Sequence, residues 1–255
     1  MPLKRATGFV IQSFDYGESD KIVTFFTEEY GKLKGVAKGA RRSRKRFSNS
    51  LDLFCYVRIL FFEKEDRPLT RVDQCDVLEF FPALSQDLVK MSYGSYFAEL
   101  VDAMVAEREV HKGVFDLLRL SLSMVNQSET REELLRIFEI RLLSLLGYRP
   151  NLNSCTHCRK PLEQLERIQF VPARGGILCG ICCPTNEIFF PVALGTVKLL
   201  EKSADTDLSK IGRLRFSPRA LTETRQILPP FIQHHLHREL KSLRFLESVR
   251  PGASP

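Results

Sequence analysis

The hydrophobic pattern of this 255-residue chain changes its period once, near Phe81-Pro82, and this change limits the folds open to it. Before that point, short runs rich in Val, Ile, Phe and Thr are separated by Gly17, Gly31 and Gly39, a pattern typical of β-strands. The predicted strands cover residues 7–14, 21–27, 32–37, 53–62 and 69–78. Five short strands predict a small closed barrel such as an OB-fold. A five-stranded SH3-like barrel is the alternative.

After residue 81 the apolar residues recur at helical spacing. Helices are predicted over residues 88–107, 114–125 and 130–147. In the third helix, Thr130 and Glu133 have the spacing of a capping box, and Gly147 is predicted to follow the last helical residue. Its many apolar residues indicate a helix buried on more than one side.

A further short helix is predicted over residues 192–202, and a longer one begins at Ser217-Pro218. We expect Pro229-Pro230 to break it before a last helix that reaches about residue 249. The predicted fold class is α+β: an OB-fold barrel followed by a helical domain with an inserted four-cysteine zinc module. The predicted domains are residues 1–80, 81–150, 151–190 (the zinc module) and 191–250.

Two Cys-x-x-Cys pairs give the most specific motif in the chain. Cys155 and Cys158 are separated by 20 residues from Cys179 and Cys182, and this spacing is in the range of zinc ribbons. Four thiolates would close the coordination shell, which indicates a structural Zn²⁺ rather than a catalytic one. Cys183 is an alternative to Cys182, and iron is an alternative to zinc. A redox dithiol is disfavoured because no thioredoxin-like βαβ pattern surrounds either pair.

The N-terminus lacks the apolar segment of a signal peptide, and no apolar run is long enough to cross a bilayer. The chain has an odd number of cysteines, seven, which argues against a disulfide framework and for a reducing compartment, so we expect the cytoplasm. Cys55 and Cys75 lie within predicted strands and are expected in the core. His234 and His237 share a helical face, but no acidic residue or cysteine nearby would complete a metal site.

The net charge is +7, and residues 32–46 contain eight cations and no acid. The first half of this stretch reads as a strand and the second as an exposed loop. A polyanion is the expected partner, because cations on phosphates release condensed counterions. A solvated loop and an acidic membrane surface are the alternatives. The predicted DNA-binding residues are Lys32, Lys34, Lys38, Arg41, Arg42, Arg44, Lys45 and Arg46.

Known enzyme motifs are missing: the chain has no phosphate-binding P-loop, no dinucleotide-binding glycine pattern, no Gly-x-Ser-x-Gly and no His-Glu-x-x-His. We therefore expect a binding protein and not an enzyme. An enzyme acting on RNA or DNA through an unrecognised site is a competing hypothesis. The main rival is a zinc-stabilised regulator that binds duplex DNA by sequence, although no helix-turn-helix pattern stands out.

The run from Val36 to Arg42, followed by Arg46-Phe47, resembles the basic loop of the RecO family of recombination mediators, and residues 175–179 resemble that family's approach to the second cysteine pair. The resemblance implies an OB-fold that binds single- and double-stranded DNA and anneals complementary strands. It also implies that the protein works with RecR so that RecA displaces SSB from single-stranded DNA, in a bacterial cytoplasm at the nucleoid. Some family members lack the cysteines, so the metal would be structural.

The resemblance also implies a site for the C-terminal tail of SSB, which is acidic and ends in apolar residues. Such a tail needs an apolar pocket with cations at its rim. The predicted helix over residues 130–147 offers that mixture, although a core helix with one wet edge would show the same pattern. The predicted partner-binding residues are Arg131, Leu135, Arg136, Phe138, Arg141 and Leu142.

Overall fold

The computed structural model describes residues 2–63 and 69–249. The strands are β1 (Leu3–Tyr16), β2 (Asp20–Thr27), β3 (Gly31–Ala37), β4 (Tyr56–Phe62), β5 (Thr70–Glu79), β6 (Ile168–Val171), β7 (Gly176–Cys179) and β8 (Phe190–Pro191). The helices are α1 (Arg44–Phe47), α2 (Pro82–Gln86), α3 (Leu88–Met104), α4 (Lys112–Gln127), α5 (Glu132–Leu145), α6 (Leu194–Asp205), α7 (Pro218–Leu236) and α8 (Lys241–Val249).

The chain forms two compact units. Met1–Glu129 and Lys241–Pro255 belong to the first, and Thr130–Leu240 form the second. The last helix, α8, therefore joins the unit that contains the N-terminal strands. The domain boundaries drawn from the sequence at residues 80, 150 and 190 remain a prediction.

The first unit contains a closed five-stranded barrel in the order β1-β2-β3-β5-β4. Strands β3 and β5 pair in parallel and the other neighbours are antiparallel. Val10, Phe25, Leu33 and Ile59 lie in its interior, because alternate residues of a strand point to the same face. A register shift between Val10 and Gln12 lets β1 pair with β4 along its first half and with β2 along its second. The OB-like barrel and the α+β fold class are confirmed.

Helices α2, α3, α4 and α8 complete the first unit. The ring of Phe9, on the outside of the barrel, lies 5.5 Å from that of Phe115 in α4, so this helix covers one side of the barrel. The carboxylate of Glu99 in α3 accepts hydrogen bonds from the backbone N–H groups of Lys241 and Ser242, at 3.1 and 2.7 Å. These N–H groups lack partners within α8, so Glu99 caps that helix from a neighbouring one.

The second unit combines α5, α6 and α7 with a small antiparallel sheet in the order β7-β6-β8. The Ser217 hydroxyl accepts from the Ala220 N–H at 3.2 Å, which confirms the predicted start of α7. The predicted break at Pro229-Pro230 is wrong, because α7 runs through both prolines without interruption. Buried Ile227, Leu228, Phe231 and Ile232 flank these prolines, so packing on both sides offsets the lost hydrogen bonds.

The predicted capping box of α5 is also wrong. The helix begins at Glu132, with Arg131 as its N-cap and no side-chain cap. The carboxylate of Glu132 instead accepts from the Arg225 guanidinium at 2.9 Å, so it lies against α7. At the other end, Gly147 adopts a φ of +79°, as predicted for the residue after the helix.

Candidate nucleic-acid interface and metal centre

The basic loop (residues 38–46) is held to the barrel by hydrogen bonds at its start. The Asp20 carboxylate accepts from the Gly39 N–H at 2.8 Å, and the Arg41 N–H donates to the Ser19 carbonyl at 3.0 Å. The hydrogen bond from Gly39 lowers the pKa of Asp20, with a smaller contribution from the Ser19 hydroxyl. Gly39 has a φ of +68°, a conformation that glycine adopts without strain. The start of the loop is therefore fixed to the β1–β2 hairpin.

The end of the loop is fixed by Arg46 and Phe47. The Arg46 guanidinium donates to the Lys38 carbonyl at 2.7 Å, which joins the two ends of the loop. It also lies 4.9 Å from the centre of the Phe47 ring. Phe47 is only 4% exposed and packs in the barrel core. Of its two roles considered from sequence, anchoring the loop and stacking on a base, this burial favours anchoring.

Most of the predicted DNA-binding cations reach solvent. Arg41 and Arg42 lie 3.7 Å from the carboxylates of Asp15 and Glu18, distances that give weak surface ion pairs. Arg46 is half-buried beneath the loop. The side chain of Arg44 lies outside the described part of the structure. The exposed members of the set are Lys34, Lys38, Arg41, Arg42 and Lys45.

Lys32 differs from the other seven. Its side chain is only 12% exposed, and its ammonium lies 3.5 Å from the Asp102 carboxylate in α3. The ammonium also donates to the Asp102 carbonyl at 2.5 Å. Binding a phosphate would require Lys32 to give up these contacts, so its place in the structure is that of a link between β3 and α3.

Candidate residues that the sequence analysis did not single out lie on the outside of the barrel. Phe14, Tyr16 and Arg71 are exposed there, on β1 and β5. Strand alternation counted from interior Val10 would have placed Phe14 and Tyr16 inside the barrel, and the register shift between Val10 and Gln12 turns them outward. No local pattern indicates that Arg71 shares an outer face with Val36, since the β3–β5 pairing is long-range.

The four predicted metal ligands are brought together in the second unit. The sulfurs of Cys155, Cys158, Cys179 and Cys182 all lie within 4.8 Å of one another. The separation of the Cys158 and Cys179 sulfurs is 3.9 Å. Four sulfurs around Zn²⁺ at about 2.3 Å would lie about 3.8 Å apart, so the quartet fits a tetrahedral zinc site. Cys183 lies outside the quartet, with its sulfur 3.9 Å from the Pro184 carbonyl.

Backbone N–H groups favour the thiolate form of one member of the quartet, Cys155, whereas hydrogen bonding with Cys179 raises the pKa of Cys182 to about 12. Burial raises the pKa of Cys155, but N–H groups of Cys158, Cys179 and His157 outweigh it and hold that pKa at about 6. A thiolate at neutral pH is the form that binds metal. The Cys182 and Cys183 N–H groups both donate to the Cys179 carbonyl at 3.1 Å, forming the turn that aims the second pair inward. The donor set can hold a metal ion.

The apolar residues of the predicted partner site are in the core. Leu135, Phe138 and Leu142 of α5 are all fully buried. Arg136 is buried as well, and its guanidinium lies 3.0 Å from the equally buried carboxylate of Glu139. These residues therefore stabilise the fold of the second unit and offer no exposed pocket.

The remaining arginines of that set bind carbonyl groups within the same unit. Arg131 donates to the Gly212 carbonyl at 3.0 Å, and Arg141 donates to the carbonyls of Ser203, at 3.2 Å, and Thr206. Burial lowers the pKa of Arg141. Each of the two arginines thus closes a turn of the backbone.

Two further predictions concern a metal site at the histidines and a membrane-spanning helix. Within residues 2–63 and 69–249, the cysteine quartet is the group of side chains close enough together to hold a metal ion. Neither His234 nor His237 belongs to a second group of this kind. No helix in the same ranges is both long and apolar enough to cross a membrane.

Cys55 and Cys75 are buried in the barrel core, as predicted, and burial raises the pKa of Cys55 to about 11 and that of Cys75 to about 12.

Comparison with known proteins identifies both parts of the chain. Residues 1–81 match the family model described as Recombination protein O N terminal, and residues 85–244 match Recombination protein O C terminal. The chain belongs to the RecO family. It is 38% identical over 248 residues to DNA repair protein RecO of Syntrophus aciditrophicus, a match that covers 96% of each chain. RecO-family proteins of two further bacteria give similar results.

The RecO of Symbiobacterium thermophilum is 36% identical over 252 residues, covering 98% of this chain and 99% of its own. That of Anaeromyxobacter dehalogenans strain 2CP-1 is 34% identical over 251 residues, covering 98% of each chain. Both are named DNA repair protein RecO. The similarity to RecO proteins thus spans both the barrel and the cysteine quartet.

Proposed function

We propose that this RecO-family protein is a DNA-binding recombination mediator with no enzymatic activity. It binds single- and double-stranded DNA, anneals complementary strands and helps RecR to load RecA onto single-stranded DNA coated with SSB. The observation that carries this proposal is the family match over nearly the whole chain. The exposed basic loop adds independent physical support, and the family match disfavours the sequence-specific regulator.

The proposed DNA surface consists of the basic loop and the adjoining end of β3. Flexible cations bind phosphates without reading bases, as annealing of unrelated sequences requires. The loop is fixed at both ends by Asp20 and Arg46, so the cations are displayed from a folded support. Lys32 is excluded from the proposed DNA surface because its ammonium contacts the Asp102 carboxylate. The proposed phosphate-binding residues are Lys34, Lys38, Arg41, Arg42, Arg44 and Lys45, with Arg46 as the clamp of the loop.

We propose that Cys155, Cys158, Cys179 and Cys182 hold a structural Zn²⁺. Iron is the alternative for four thiolates. A metal here would cross-link β7 to the turn that carries the first cysteine pair, in a module with a small apolar core. Its contribution is to folding, and the proposed DNA surface lies in the other unit.

RecR, the SSB tail and, indirectly, RecA are the proposed partners, and the proposed location is the bacterial cytoplasm at the nucleoid. A tail site built from Leu135, Phe138 and Leu142 would require three fully buried side chains to become exposed. The partner role predicted for the α5 residues is therefore not carried into this proposal, and we assign them to the core.

The decisive experiment measures annealing of complementary strands coated with SSB, and RecA loading on them, with and without RecR. The test variant carries Lys38→Glu, Arg41→Glu, Arg42→Glu and Arg44→Glu in the basic loop. The control variant carries Arg5→Glu and Arg58→Glu, two exposed cations where β1 pairs with β4. We expect loss of annealing in the first and near wild-type annealing in the second.

Several results would contradict the proposal. These are wild-type protein that anneals nothing, a loop variant that anneals as well as wild type, or a strong preference for one duplex sequence over unrelated single strands. Turnover in a sensitive nuclease or methyltransferase assay would contradict the absence of enzymatic activity.

A further inference from the structure

A row of side chains crosses the outer face of the barrel on four strands. Phe14 of β1 is the register partner of Ile22 in β2, which pairs with Val36 in β3, which in turn pairs with Arg71 in β5. Register partners point to the same face of a sheet. The next residues along β3 and β5, Ala37 and Val72, are also partners and are buried inside the barrel. The row therefore lies on the outside.

Tyr16 extends this surface along β1. It is two residues beyond Phe14, on the same face, at a separation of about 6.8 Å along the strand. Both rings are 57% exposed, and within the described residues neither has an aromatic ring as a neighbour. Two large exposed rings on one strand face, beside half-buried Ile22 and Val36, form an apolar patch of the kind that marks an interaction site.

Cations border the patch on the side of β3 and β5. Lys34 precedes Val36 by two residues and is exposed on the same face, and Lys38 follows at the end of the strand. Arg71 ends the row. Phosphates of a strand crossing this face would thus meet positive charge on one side and apolar rings on the other. That combination suits single-stranded nucleic acid, whose bases are free to stack on aromatic side chains.

Of the acidic residues of the β1–β2 hairpin, Glu18 lies in the turn, 3.7 Å from the Arg42 guanidinium, and Asp15 and Asp20 contact the base of the basic loop. Asp15 lies on the opposite face of β1 from the rings, where its carboxylate is 3.3 Å from the Lys21 ammonium and 3.7 Å from the Arg41 guanidinium. Asp20, the register partner of Tyr16, is engaged by the Gly39 N–H at 2.8 Å. Both carboxylates are thus used to hold the base of the basic loop.

We propose that unpaired bases of single-stranded DNA stack on Phe14 and Tyr16, while Lys34, Lys38 and Arg71 bind the flanking phosphates. The inference rests on the proposed DNA-binding function and adds a basis for distinguishing strands. In a duplex the base faces are stacked on one another, so duplex DNA meets only the cations. The two rings therefore select single strands, and the basic loop serves both kinds of DNA.

The test compares wild type with the double variant Phe14→Ala and Tyr16→Ala on three ligands: a thymidine oligonucleotide, an oligonucleotide of equal length lacking its central bases, and a duplex. Because both rings are exposed, thermal unfolding of the variant should match that of wild type. We expect its affinity for the thymidine strand to fall about tenfold or more. Affinity for the duplex and for the abasic strand should stay within about twofold. Leu88→Ala, at an equally exposed apolar residue of α3, is the matched control.

A second measurement reports on stacking directly. The sequence has no tryptophan, so Tyr16→Trp introduces a single fluorescent reporter. Its emission should be quenched by the thymidine strand and not by the abasic strand, whereas Leu88→Trp should respond to neither. Unchanged single-strand affinity in the double variant, an equal loss on all three ligands, or no base-dependent quenching would overturn the inference. A wild-type protein that binds no DNA would overturn the proposed function as well.

Discussion

The guanidinium of Arg46 donates to the carbonyl of Lys38 across the basic loop, at 2.7 Å. Arg46 was predicted as one of eight DNA-binding cations, and this bond gives it a separate structural role. The guanidinium joins the two ends of the loop, and its contact with the buried ring of Phe47 links the loop to the barrel core. The displayed charges are thereby held on a defined path.

We expect Arg46→Ala to loosen the loop more than Lys45→Ala, although both remove one charge. The lost hydrogen bond contributes about 1 kcal/mol after solvent screening, so local opening should increase about fivefold. Hydrogen exchange at the Arg42 and Ser43 amides, which donate to the Gly39 carbonyl, measures this directly. Equal exchange in the two variants would show that the bond does not order the loop.

Single-strand binding by wild type should depend strongly on salt. If about six of the loop and β3 cations meet phosphates, the logarithm of affinity should fall with the logarithm of salt with a slope of about −4. Each exposed cation removed, beginning with Lys38→Ala, should reduce the steepness by about 0.7. Lys32→Ala should leave the slope unchanged, because its ammonium is bound to Asp102. Titrations at several salt concentrations check both statements, and a slope near zero would exclude a phosphate-binding surface.

The contact between Asp20 and Gly39 predicts a pH dependence. The pKa of Asp20 lies below its ordinary value of 3.8 in the folded chain, chiefly because the Gly39 N–H donates to the carboxylate. A lowered folded-state pKa adds stability above about pH 3.8 that is lost as the pH falls through the folded value. Urea unfolding should therefore separate wild type from Asp20→Asn more at pH 7 than at pH 3. A difference of equal size at both pH values would show that ionisation is not its origin.

The barrel could be predicted because its strands follow a simple alternation. In β3, Leu33 and Ala37 point into the core and Lys34 and Val36 point out. β1 extends beyond its predicted 7–14 because the register shift near Gln12 interrupts that alternation and the strand serves two partners. The cysteine quartet could be predicted because its chemistry depends on local spacing alone.

The wrong predictions share a physical cause. Side chains distant in sequence form contacts that local sequence patterns do not reveal. At α5, the helix begins after Arg131 without the Thr130–Glu133 capping box, and Glu132 in its first turn pairs with Arg225, 93 residues away. Lys32 appears exposed from its strand position, yet Asp102 covers it from 70 residues further on. The spacing of residues within one segment carries no information about such contacts. For the same reason, the buried side chains of α5 were predicted to form a partner-binding surface.

The buried pair of Arg136 and Glu139 gives a test of that reassignment. Arg136→Met alone should cost about 3–5 kcal/mol, because it leaves the Glu139 charge buried without its arginine. Adding Glu139→Leu should restore most of the stability, since well-packed apolar replacements of buried ion pairs are often neutral. Thermal unfolding of both variants measures this. A double variant as stable as wild type that also loses binding to an SSB-tail peptide would return these residues to a partner role.

Metal removal should separate folding of the second unit from DNA binding by the first. We expect elemental analysis of native protein to find about one zinc per chain. Chelation, or Cys155→Ser with Cys158→Ser, should lower the unfolding temperature, because the four thiolates no longer cross-link the module. The folded protein that remains should keep its affinity for single-stranded DNA within about twofold, because distant sites with no shared partners usually act independently. Cys183→Ser is the matched control and should retain both metal and stability, since its sulfur lies outside the quartet. Native protein without bound metal, or loss of zinc from Cys183→Ser, would contradict this assignment of ligands.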